Sequence, residues 1–248
     1  MIRVIKVGGN ELDDPKFVAA LVGALKMLPE APVLVHGGGK EIRSLQEKLG
    51  LAPQYVDGLR VTDAESLAVV QMVLAGRINK RLVAALTAAG VDALGMSGVD
   101  RGAVKAEKLE HPRGDLGWVG RVVAVRVEVF GRLLEEGVTP VLSPICWGAD
   151  GEMFNVNADH VASAVACALA AETLVFVSNV AGVLVDGEVI SQATPADLER
   201  LIAQGTIAGG MVPKARAALE ALASGVNAVR ITNLEGLVAG SGTTLRGN

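Results

Sequence analysis

Short β-branched runs alternate with longer helical runs along most of this chain. Residues 2–7, 32–35 and 173–177 have the length and composition of buried strands, and segments with helical periodicity separate the strands. Strands that alternate with helices in this way form a mainly parallel sheet with helices on both faces. The sequence therefore predicts an α/β fold, a three-layer αβα sandwich around a central, mainly parallel sheet.

Local signals predict several helix and turn boundaries. Asp14 followed by Pro15 begins a helix to about residue 27, since proline is favoured in a first turn. The T-D-A-E segment at 62–65 has the form of a capping box and predicts a long helix to about residue 89. Pro213 cannot donate a backbone hydrogen bond, which predicts that the helix near 212–224 begins there.

Two regions have the rhythm of hairpins rather than of helices. Residues 103–129 are strand-like, with Gly114, Gly117 and Gly120 as turns, and they predict β-hairpins. A small hairpin is also expected to turn at Asp186-Gly187.

The composition narrows the possible functions. The 248 residues are half apolar, and the net charge of −4 argues against a general nucleic-acid binder, which would carry a basic stripe. No apolar stretch reaches the roughly 18 residues of a membrane span. Arg3 and Lys6 interrupt the first apolar run, so no signal peptide is predicted. We therefore expect a cytoplasmic protein that binds neither nucleic acid nor membrane.

No metal site is predicted. The two cysteines, Cys146 and Cys167, belong to no C-x-x-C or Cys/His cluster, and we find no dedicated carboxylate cluster for a metal ion. Both cysteines are expected to be reduced thiols that pack as small apolar groups.

Three glycine-bearing turns follow three of the predicted strands, at 8–9, 37–39 and 178–182. Ligands of such sheets bind outside the carboxyl ends of the strands, and successive N–H groups of a glycine turn can bind an anion. Lys6, in the K-V-G-G-N segment at 6–10, could reach the same anion. A tight turn beside a solvated lysine would give the same pattern, which is neither a Walker A motif nor G-x-G-x-x-G.

Other polar residues suit anionic ligands. The H-G-G-G-K turn at 36–40 joins a strand to a helix whose N-terminus suits a carboxylate or a phosphate. His36 could be a general base, although a lone histidine at a strand end is more often a structural hydrogen-bonding group. Arg60 suits bidentate carboxylate binding, with a surface arginine as the alternative.

Two later segments complete the candidate site. Asn155, Asn157 and Asp159 alternate before a helix, either as caps or as ligand-binding groups, with Asp159 orienting nearby lysines. The glycine loop at 206–214 ends in Lys214 near a helix start, and this arrangement suits a polyphosphate.

Taken together and in order, these segments resemble the amino-acid kinase family. The motifs are K-V-G-G-N, V-H-G-G-G, G-L-R-V-T-D followed by V-L-A-G-R-I-N-K, N-V-N-A-D, S-N-V-A-G-V and G-G-M-V-P-K. The G-L-R-V-T-D and N-V-N-A-D forms are most similar to the branch that acts on N-acetyl-L-glutamate. The resemblance implies ATP-dependent phosphorylation of the γ-carboxylate of N-acetyl-L-glutamate in arginine biosynthesis, with Mg²⁺ held mainly by the ATP phosphates.

The resemblance also implies a role for each matching position. Lys6 and Lys214 match the lysines that stabilise charge on the transferred phosphoryl group, Asp159 matches the aspartate that holds them, and Gly8 and Gly9 match the turn that faces the phosphate. The implied acceptor-binding residues are Gly38, Gly39, Arg60 and Asn155. The implied nucleotide-binding residues are Ser178, Asn179, Val180, Gly182, Leu184, Gly209, Met211 and Lys214.

The same resemblance implies two lobes of a carbamate-kinase-like fold. Residues 1–170 would bind the acceptor and dimerise, and residues 171–248 would bind the nucleotide. A homodimer that arginine does not inhibit is expected, because arginine-inhibited members carry an N-terminal helix before the first strand. The G-S-G-T segment at 240–243 nevertheless resembles part of the inhibitor-site pattern.

The chemistry agrees with these roles, but two alternatives stay open. A γ-carboxylate is ionised at pH 7, so transfer needs alignment and charge neutralisation rather than a general base. One alternative is a kinase for acetylaminoadipate or carrier-protein-linked substrates, since a pocket discriminates one methylene by only ~1–3 kcal/mol. The other is a non-catalytic binding module, against which Lys6, Asp159 and Lys214 argue, because binding alone needs no transition-state neutralisation.

Overall fold

A computed structural model describes residues 1–9 and 11–247 of the chain. The strands are β1 (Arg3–Val7), β2 (Val33–His36), β3 (Tyr55–Val56), β4 (Leu59–Arg60), β5 (Ala93–Ser97), β6 (Val104–Lys108), β7 (Val119–Val125), β8 (Thr139–Ser143), β9 (Ile145–Trp147), β10 (Met153–Val156), β11 (Thr173–Val177), β12 (Leu184–Val185), β13 (Glu188–Val189), β14 (Gln192–Ala193), β15 (Ala228–Thr232) and β16 (Thr243–Arg246). The α-helices are α1 (Pro15–Lys26), α2 (Gly39–Lys48), α3 (Ala64–Gln71), α4 (Asn79–Ala88), α5 (Val127–Glu135), α6 (Ala158–Ala168), α7 (Pro195–Ala203), α8 (Met211–Ala223) and α9 (Leu234–Ala239).

An eight-stranded sheet forms the centre of the fold, in the order β14-β16-β15-β11-β1-β2-β8-β5. Its strand pairs are parallel except for β15 and β16, which run antiparallel. The predicted α/β sandwich with a mainly parallel sheet is therefore confirmed. Val7, at the end of β1, lies opposite both Val177 and His36, so the glycine turns after β1, β2 and β11 lie side by side.

The apolar core lies on both faces of this sheet. Successive side chains of a strand point to opposite faces, and accordingly Val4 joins one buried cluster while Ile5 joins the other. Leu174 belongs to the cluster of Val4, and Val175 belongs to the cluster of Ile5. Segments before and after residue 170 thus share one sheet and both cores, and the division of function between two lobes stays a prediction.

A small closed barrel of β6, β7, β9 and β10 packs beside the sheet. The strand-like character of residues 103–125 is confirmed, because β6 and β7 pair antiparallel. Gly120 was predicted as a turn, which is wrong, since it lies within β7, and residues 127–129 belong to α5. The sequence did not predict β3, β4, β9, β10, β14 or α9. These elements have two to six residues, which is too short for periodicity to be informative, and tertiary packing defines them.

Some helix boundaries differ from the prediction. The Asp14 cap of α1 is confirmed, since its side chain accepts from the backbone N–H of Lys16 at 2.9 Å. The capping box at 62–65 is wrong: Asp63 is the cap and accepts from the N–H of Ser66 at 2.7 Å. The long helix that follows contains a π-helical segment, Met72–Ile78, between α3 and α4. Helix α8 begins before Pro213, which lies in its first turn, where no helical partner is needed.

The remaining local predictions have mixed outcomes. The hairpin at Asp186-Gly187 is confirmed, and both residues have positive φ angles, 52° and 84°. Cys146 is buried, and burial raises the pKa of its thiol. Cys167 is exposed rather than packed, and its thiol donates to the Ser224 carbonyl at 3.2 Å. Among the described helices, none is long and apolar enough to cross a membrane.

Candidate active site

The glycine turns after β1 and β2 pack backbone against backbone. A Cβ atom on Gly9 would lie 2.2 Å from the backbone nitrogen of Gly38, a distance that no side chain tolerates. The N–H of Gly37 donates to the Val7 carbonyl at 3.1 Å. The close approach therefore requires glycine at position 9. Asn10, the last residue of the predicted motif, lies outside the described residues.

His36 forms hydrogen bonds that hold the glycine turn after β2. It is fully buried, its Nδ1–H donates to the Gly37 carbonyl at 3.1 Å, and its Nε2 accepts from Asn79 Nδ2 at 3.2 Å. The Asn79 amide also donates to the Val141 carbonyl at 2.8 Å. Burial lowers the pKa of His36 to about 4, so the ring is neutral at pH 7. Both ring nitrogens are occupied, and the residue is a structural hydrogen-bonding group.

Lys6 and Asp159 form an ion pair at the end of β1. The Lys6 ammonium lies 2.7 Å from Oδ1 of Asp159, and both side chains are mostly buried. Asp159 is in the first turn of α6, and its backbone N–H donates to the side chain of Asn157, the cap of that helix. The predicted contact of Asp159 with Lys6 is thus present. The expectation that Asp159 also holds Lys214 is wrong, because that ammonium donates to Ser178 and Asn179 instead. The catalytic roles of these residues stay predictions.

Lys214 approaches the same place from the first turn of α8. Its ammonium donates to the Ser178 hydroxyl and to Oδ1 of Asn179, the latter at 3.3 Å. Burial lowers the pKa of Lys214, the like charge of Lys6 acts in the same direction, and the Glu11 carboxylate opposes both. The two lysines therefore share one electrostatic environment.

A cavity of about 390 Å³, here called the lysine cavity, contains these groups. Two ammonium groups and two carboxylates contribute to its lining. The lining residues are Lys6, Gly8, Gly9, Glu11, Asp159, Phe176, Val177, Ser178, Gly210, Pro213, Lys214 and Ala217.

The predicted nucleotide-binding residues are distributed around this cavity. Ser178 and Lys214 line it, and Asn179 contacts Lys214. Gly209 and Met211 flank the lining residue Gly210, and Val180 is partly buried beyond Asn179. Gly182 packs against Val189 and Thr243, and Leu184 is exposed in the β12–β13 hairpin. Their nucleotide contacts stay predictions.

A second cavity of about 420 Å³, here called the arginine cavity, lies on the β2 side. All four predicted acceptor-binding residues line it. The lining residues are Lys6, Gly9, Gly37, Gly38, Gly39, Lys40, Ile42, Arg43, Tyr55, Gly58, Leu59, Arg60, Leu74, Val119, Pro144, Asn155, Val156, Asn157 and Ala158. Four of these side chains are cationic, and none is a carboxylate.

Hydrogen bonds orient the predicted acceptor-binding side chains. Arg60 donates to the Gln46 side chain and, at 3.2 Å, to the Gly39 carbonyl, and burial lowers the pKa of its guanidinium. Asn155 donates to the Thr62 hydroxyl at 3.1 Å, and that hydroxyl donates to the Arg60 carbonyl at 3.0 Å. These contacts connect three separate segments around the cavity.

Sequence reasoning missed Arg43 and Tyr55. The Cζ atoms of Arg43 and Arg60 lie 5.6 Å and 4.8 Å from the centre of the Tyr55 ring. One signal was available: Arg43 is four residues after Gly39 on α2, and residues with this spacing lie on the same helix face.

Two ion pairs connect the segments that follow the first and second glycine turns. Arg81 of α4 donates to the buried Glu41 side chain and, at 2.7 Å, to the Leu12 carbonyl. Lys40 pairs with Asp13 at 2.6 Å. Both contacts connect the segment after the first glycine turn to the first turn of α2.

The two cavities meet at Lys6 and Gly9, which line both. An anion in the arginine cavity can therefore approach a polyphosphate in the lysine cavity, with an ammonium and glycine N–H groups between them. Among residues 1–9 and 11–247, no group of three or more His, Cys, Asp or Glu side chains could hold a metal ion. The arrangement suits transfer of a group between two anionic ligands.

Comparisons with known structures agree with this architecture. N-acetylglutamate synthase from Neisseria gonorrhoeae, solved with coenzyme A and N-acetyl-glutamate, is similar with a TM-score of 0.84 and 25% identity, over 99% of this chain and 59% of that chain. Carbamate kinase from Giardia lamblia bound to AMP-PNP is similar with a TM-score of 0.69 over 100% of this chain and 98% of that chain. At 16% identity, the second likeness shows the fold alone.

Sequence comparisons identify closer relatives. An acetylglutamate kinase of Roseiflexus sp. (strain RS-1) is 60% identical over 98% of this chain and 92% of that protein. An acetylglutamate kinase of Methanopyrus kandleri is 46% identical over 99% of this chain and all of that protein. Residues 1–233 match the model of the amino acid kinase family. The chain belongs to the amino acid kinase family.

Proposed function

We propose that this chain transfers the γ-phosphoryl group of ATP to the γ-carboxylate of N-acetyl-L-glutamate, giving ADP and N-acetyl-L-glutamyl 5-phosphate, the second step of arginine biosynthesis. The observation that carries the proposal is the meeting of the arginine cavity and the lysine cavity at Lys6 and Gly9. Similarity to acetylglutamate kinases at 46–60% identity over nearly the whole chain supports the choice of acceptor.

The acceptor belongs in the arginine cavity. Arg60 and Asn155 would bind its α-carboxylate and acetyl-amide end, and the N–H groups of Gly38 and Gly39 would face its other polar atoms. The γ-carboxylate would point to Lys6, where the cavities join. It is ionised at pH 7 and needs no base, which agrees with a neutral His36 whose ring nitrogens are both occupied.

The triphosphate belongs in the lysine cavity. Lys6 and Lys214 would neutralise charge on the phosphoryl group in transfer, and the N–H groups of Gly8 and Gly9 would add fixed donors. Asp159 would keep Lys6 in place through their 2.7 Å contact. The remaining predicted nucleotide residues would hold the nucleotide beyond the triphosphate.

The same cavity fits a magnesium ion that enters with ATP. Glu11 and Asp159 are carboxylates in its lining, and carboxylate oxygens are ligands that Mg²⁺ accepts. Asp159 already pairs with Lys6, so Glu11 is the carboxylate that would contact the ion, and the phosphates and water would hold most of it. Mg²⁺ supplies charge neutralisation on the triphosphate when it is bound.

Several finer features belong to the same proposal. Residues 1–170 would form the acceptor-binding and dimerisation lobe, and residues 171–248 the nucleotide lobe. In support, the lining of the arginine cavity ends at Ala158, whereas Ser178 and Lys214 lie after the boundary. We also propose a cytoplasmic homodimer that arginine does not inhibit. Sedimentation and an assay with added arginine test the last two points.

A direct assay tests the proposed reaction. Purified protein is mixed with N-acetyl-L-glutamate, ATP and Mg²⁺, ADP release is followed, and hydroxylamine traps the acyl phosphate as a hydroxamate. We expect ADP and hydroxamate in equal amounts. Absence of acceptor-dependent ADP release would refute the proposal.

Two variations of this assay test the alternative functions. A higher kcat/KM for N-acetyl-L-α-aminoadipate would make that acid, or a carrier-linked form of it, the substrate. The likeness to a synthase indicates that this fold also occurs in a protein named for another activity. Binding of N-acetyl-L-glutamate without turnover would favour a non-catalytic binding module.

A further inference from the structure

The arginine cavity carries an unbalanced positive charge. Its lining contributes Lys6, Lys40, Arg43 and Arg60, and no carboxylate lines it. Two of these charges are compensated nearby, because Lys6 pairs with Asp159 and Lys40 pairs with Asp13. Neither guanidinium group forms an ion pair within the described part of the chain, and the charge of Glu47, one turn along α2, is the nearby carboxylate that acts on Arg43. A ligand with its own negative charge would complete this end of the cavity.

The two guanidinium groups differ in how many of their N–H donors already form hydrogen bonds. Arg60 donates to the Gln46 side chain and to the Gly39 carbonyl. Arg43 has one long contact, to the Tyr55 hydroxyl at 3.4 Å, among the residues that the structure describes. A guanidinium carries five N–H donors, so most donors of Arg43 remain available to a ligand.

Tyr55 keeps the two arginines together. Both guanidinium groups lie against its ring, at 5.6 Å and 4.8 Å from the ring centre. Contacts of this kind are worth roughly 0.5–1 kcal/mol each at an exposed site. The two like charges repel each other in the absence of an anion. Burial is the main cause that lowers the pKa of Arg60, and the positive charge of Arg43 lowers this pKa further.

The proposed acceptor has charges at two ends. Its α- and γ-carboxyl carbons are separated by four carbon–carbon bonds, roughly 5 Å when extended. One carboxylate must lie at Lys6, where the cavities join, in order to react. The second must then lie farther into the arginine cavity, away from the junction, and Arg43, Tyr55 and Arg60 line this cavity but not the lysine cavity.

We infer that Arg43, held by Tyr55, is a second binding residue for the α-carboxylate of the acceptor, beside Arg60, and that it selects acceptors that carry this second charge. The inference rests on the proposed function, since it assumes that the γ-carboxylate reacts. It assigns to Arg43 a role in ground-state binding rather than in phosphoryl transfer.

The test compares two acceptors in the wild type and in Arg43→Gln. The probes are N-acetyl-L-glutamate and its α-amide, N-acetyl-L-isoglutamine, which keeps the reactive γ-carboxylate and lacks the α-charge. Lys48→Gln is the matched control, because it removes one positive charge from the last turn of the same helix without touching the cavity. KM and kcat are measured for both probes, and Kd for N-acetyl-L-glutamate is measured by calorimetry.

We expect Arg43→Gln to raise KM and Kd for N-acetyl-L-glutamate on the order of 10- to 30-fold, which is the lower part of the range for loss of a hydrogen bond to a charged group. The kcat should change less than about twofold, and KM for the α-amide should also change less than about twofold. Lys48→Gln should behave as the wild type with both probes. An equal effect of Arg43→Gln on both probes, or no effect on N-acetyl-L-glutamate, would overturn the inference.

A pair of Tyr55 variants tests the aromatic support. Tyr55→Phe keeps the ring and should leave KM for N-acetyl-L-glutamate within about twofold, whereas Tyr55→Leu should raise it about fivefold, since the cation–π contacts are lost. Equal KM values in these two variants would contradict the role of the ring. If the wild type itself does not phosphorylate N-acetyl-L-glutamate, the proposed function fails; if it does and Arg43→Gln binds normally, the inference alone fails.

Discussion

The arginine cavity and the lysine cavity differ in how their charges are balanced. The arginine cavity is lined by four cationic side chains and no carboxylate. The lysine cavity is lined by two lysines, Lys6 and Lys214, and two carboxylates, Glu11 and Asp159. One site therefore presents surplus charge to its ligand, and the other is internally neutral before a ligand enters.

This difference suggests two uses of positive charge. A small acid that carries two carboxylates gains affinity from surplus guanidinium groups, which bind carboxylates in a fixed bidentate geometry. A transferred phosphoryl group needs charge that is oriented but available, and lysines held by carboxylate, hydroxyl and amide groups provide it. The arginine side should therefore control binding, whereas the lysine side should control the rate.

The largest expected effect comes from removing a lysine charge. Lys6→Met and Lys214→Met should each lower kcat by about 10²–10³-fold, typical for loss of one donor to a transition-state charge, with little change in KM for N-acetyl-L-glutamate. Steady-state kinetics measures both parameters. Lys16→Met, on the exposed start of α1, is the control and should match the wild type. Equal changes in kcat and KM would erase the contrast between the two cavities.

The next effect concerns the junction of the cavities. Gly9→Ala places a Cβ atom 2.2 Å from the Gly38 nitrogen, so the two turns must separate. We expect kcat to fall about 100-fold, since small misplacements of reacting groups are costly, and the free energy of unfolding to fall by about 1–3 kcal/mol. Kinetics and urea denaturation measure the two effects.

Gly23→Ala is the control for this variant. It lies within α1, where a Cβ atom would meet nothing within 4 Å. Alanine should increase stability there by roughly 0.5–1 kcal/mol and leave kcat unchanged. A Gly9→Ala protein with normal kcat would show that the turn contact is not needed.

Arg60 tests the arginine cavity itself. Arg60→Gln should raise KM for N-acetyl-L-glutamate about 30-fold, since hydrogen bonds to charged groups are worth ~1.5–3 kcal/mol, and kcat should stay within a few-fold. Arg121→Gln, an exposed arginine paired with Glu107, should change neither parameter. A fall in kcat without a rise in KM would contradict the assignment of Arg60 to acceptor binding.

The smallest effect concerns the buried support of the turns. Folding lowers the pKa of His36 from 6.5 to about 4, so the folded state resists protonation that the unfolded state accepts. The contribution of His36 to the free energy of unfolding should be fully present above pH 6.5 and should be lost as the pH drops from there toward 4. We expect this loss to be roughly 1 kcal/mol between pH 7 and 5.5.

Urea denaturation of the wild type and of His36→Asn at both pH values isolates this contribution, because the carboxylates titrate in both proteins. The pH dependence should be smaller in the variant by that amount. Identical slopes in the wild type and His36→Asn would mean that His36 is not kept neutral by burial.

Much of the fold was accessible from local signals. Alternating periodicity predicted the sandwich, and the glycine turns predicted which sheet edge carries the site. Local signals failed where they competed with packing. The sequence predicted Thr62 as the helix cap, but Thr62 is buried and forms a β-bridge with Gly117, and Asp63 caps the helix instead. The barrel strands β9 and β10 have three and four residues. They pair with each other locally, but the barrel closes only through β6 and β7, which lie far along the chain.

The sequence by itself determined the class of the fold, the chemistry of the turns and the residue types at their ends, because each depends on a few neighbouring residues. The contact of Lys6 with Asp159 was expected from the sequence. Tertiary structure alone decided that Lys214 contacts Ser178 and that Arg43 meets Tyr55 and Arg60. Sheet register and burial set these encounters. For the same reason the balance of charge in each cavity became visible only once the chain was folded.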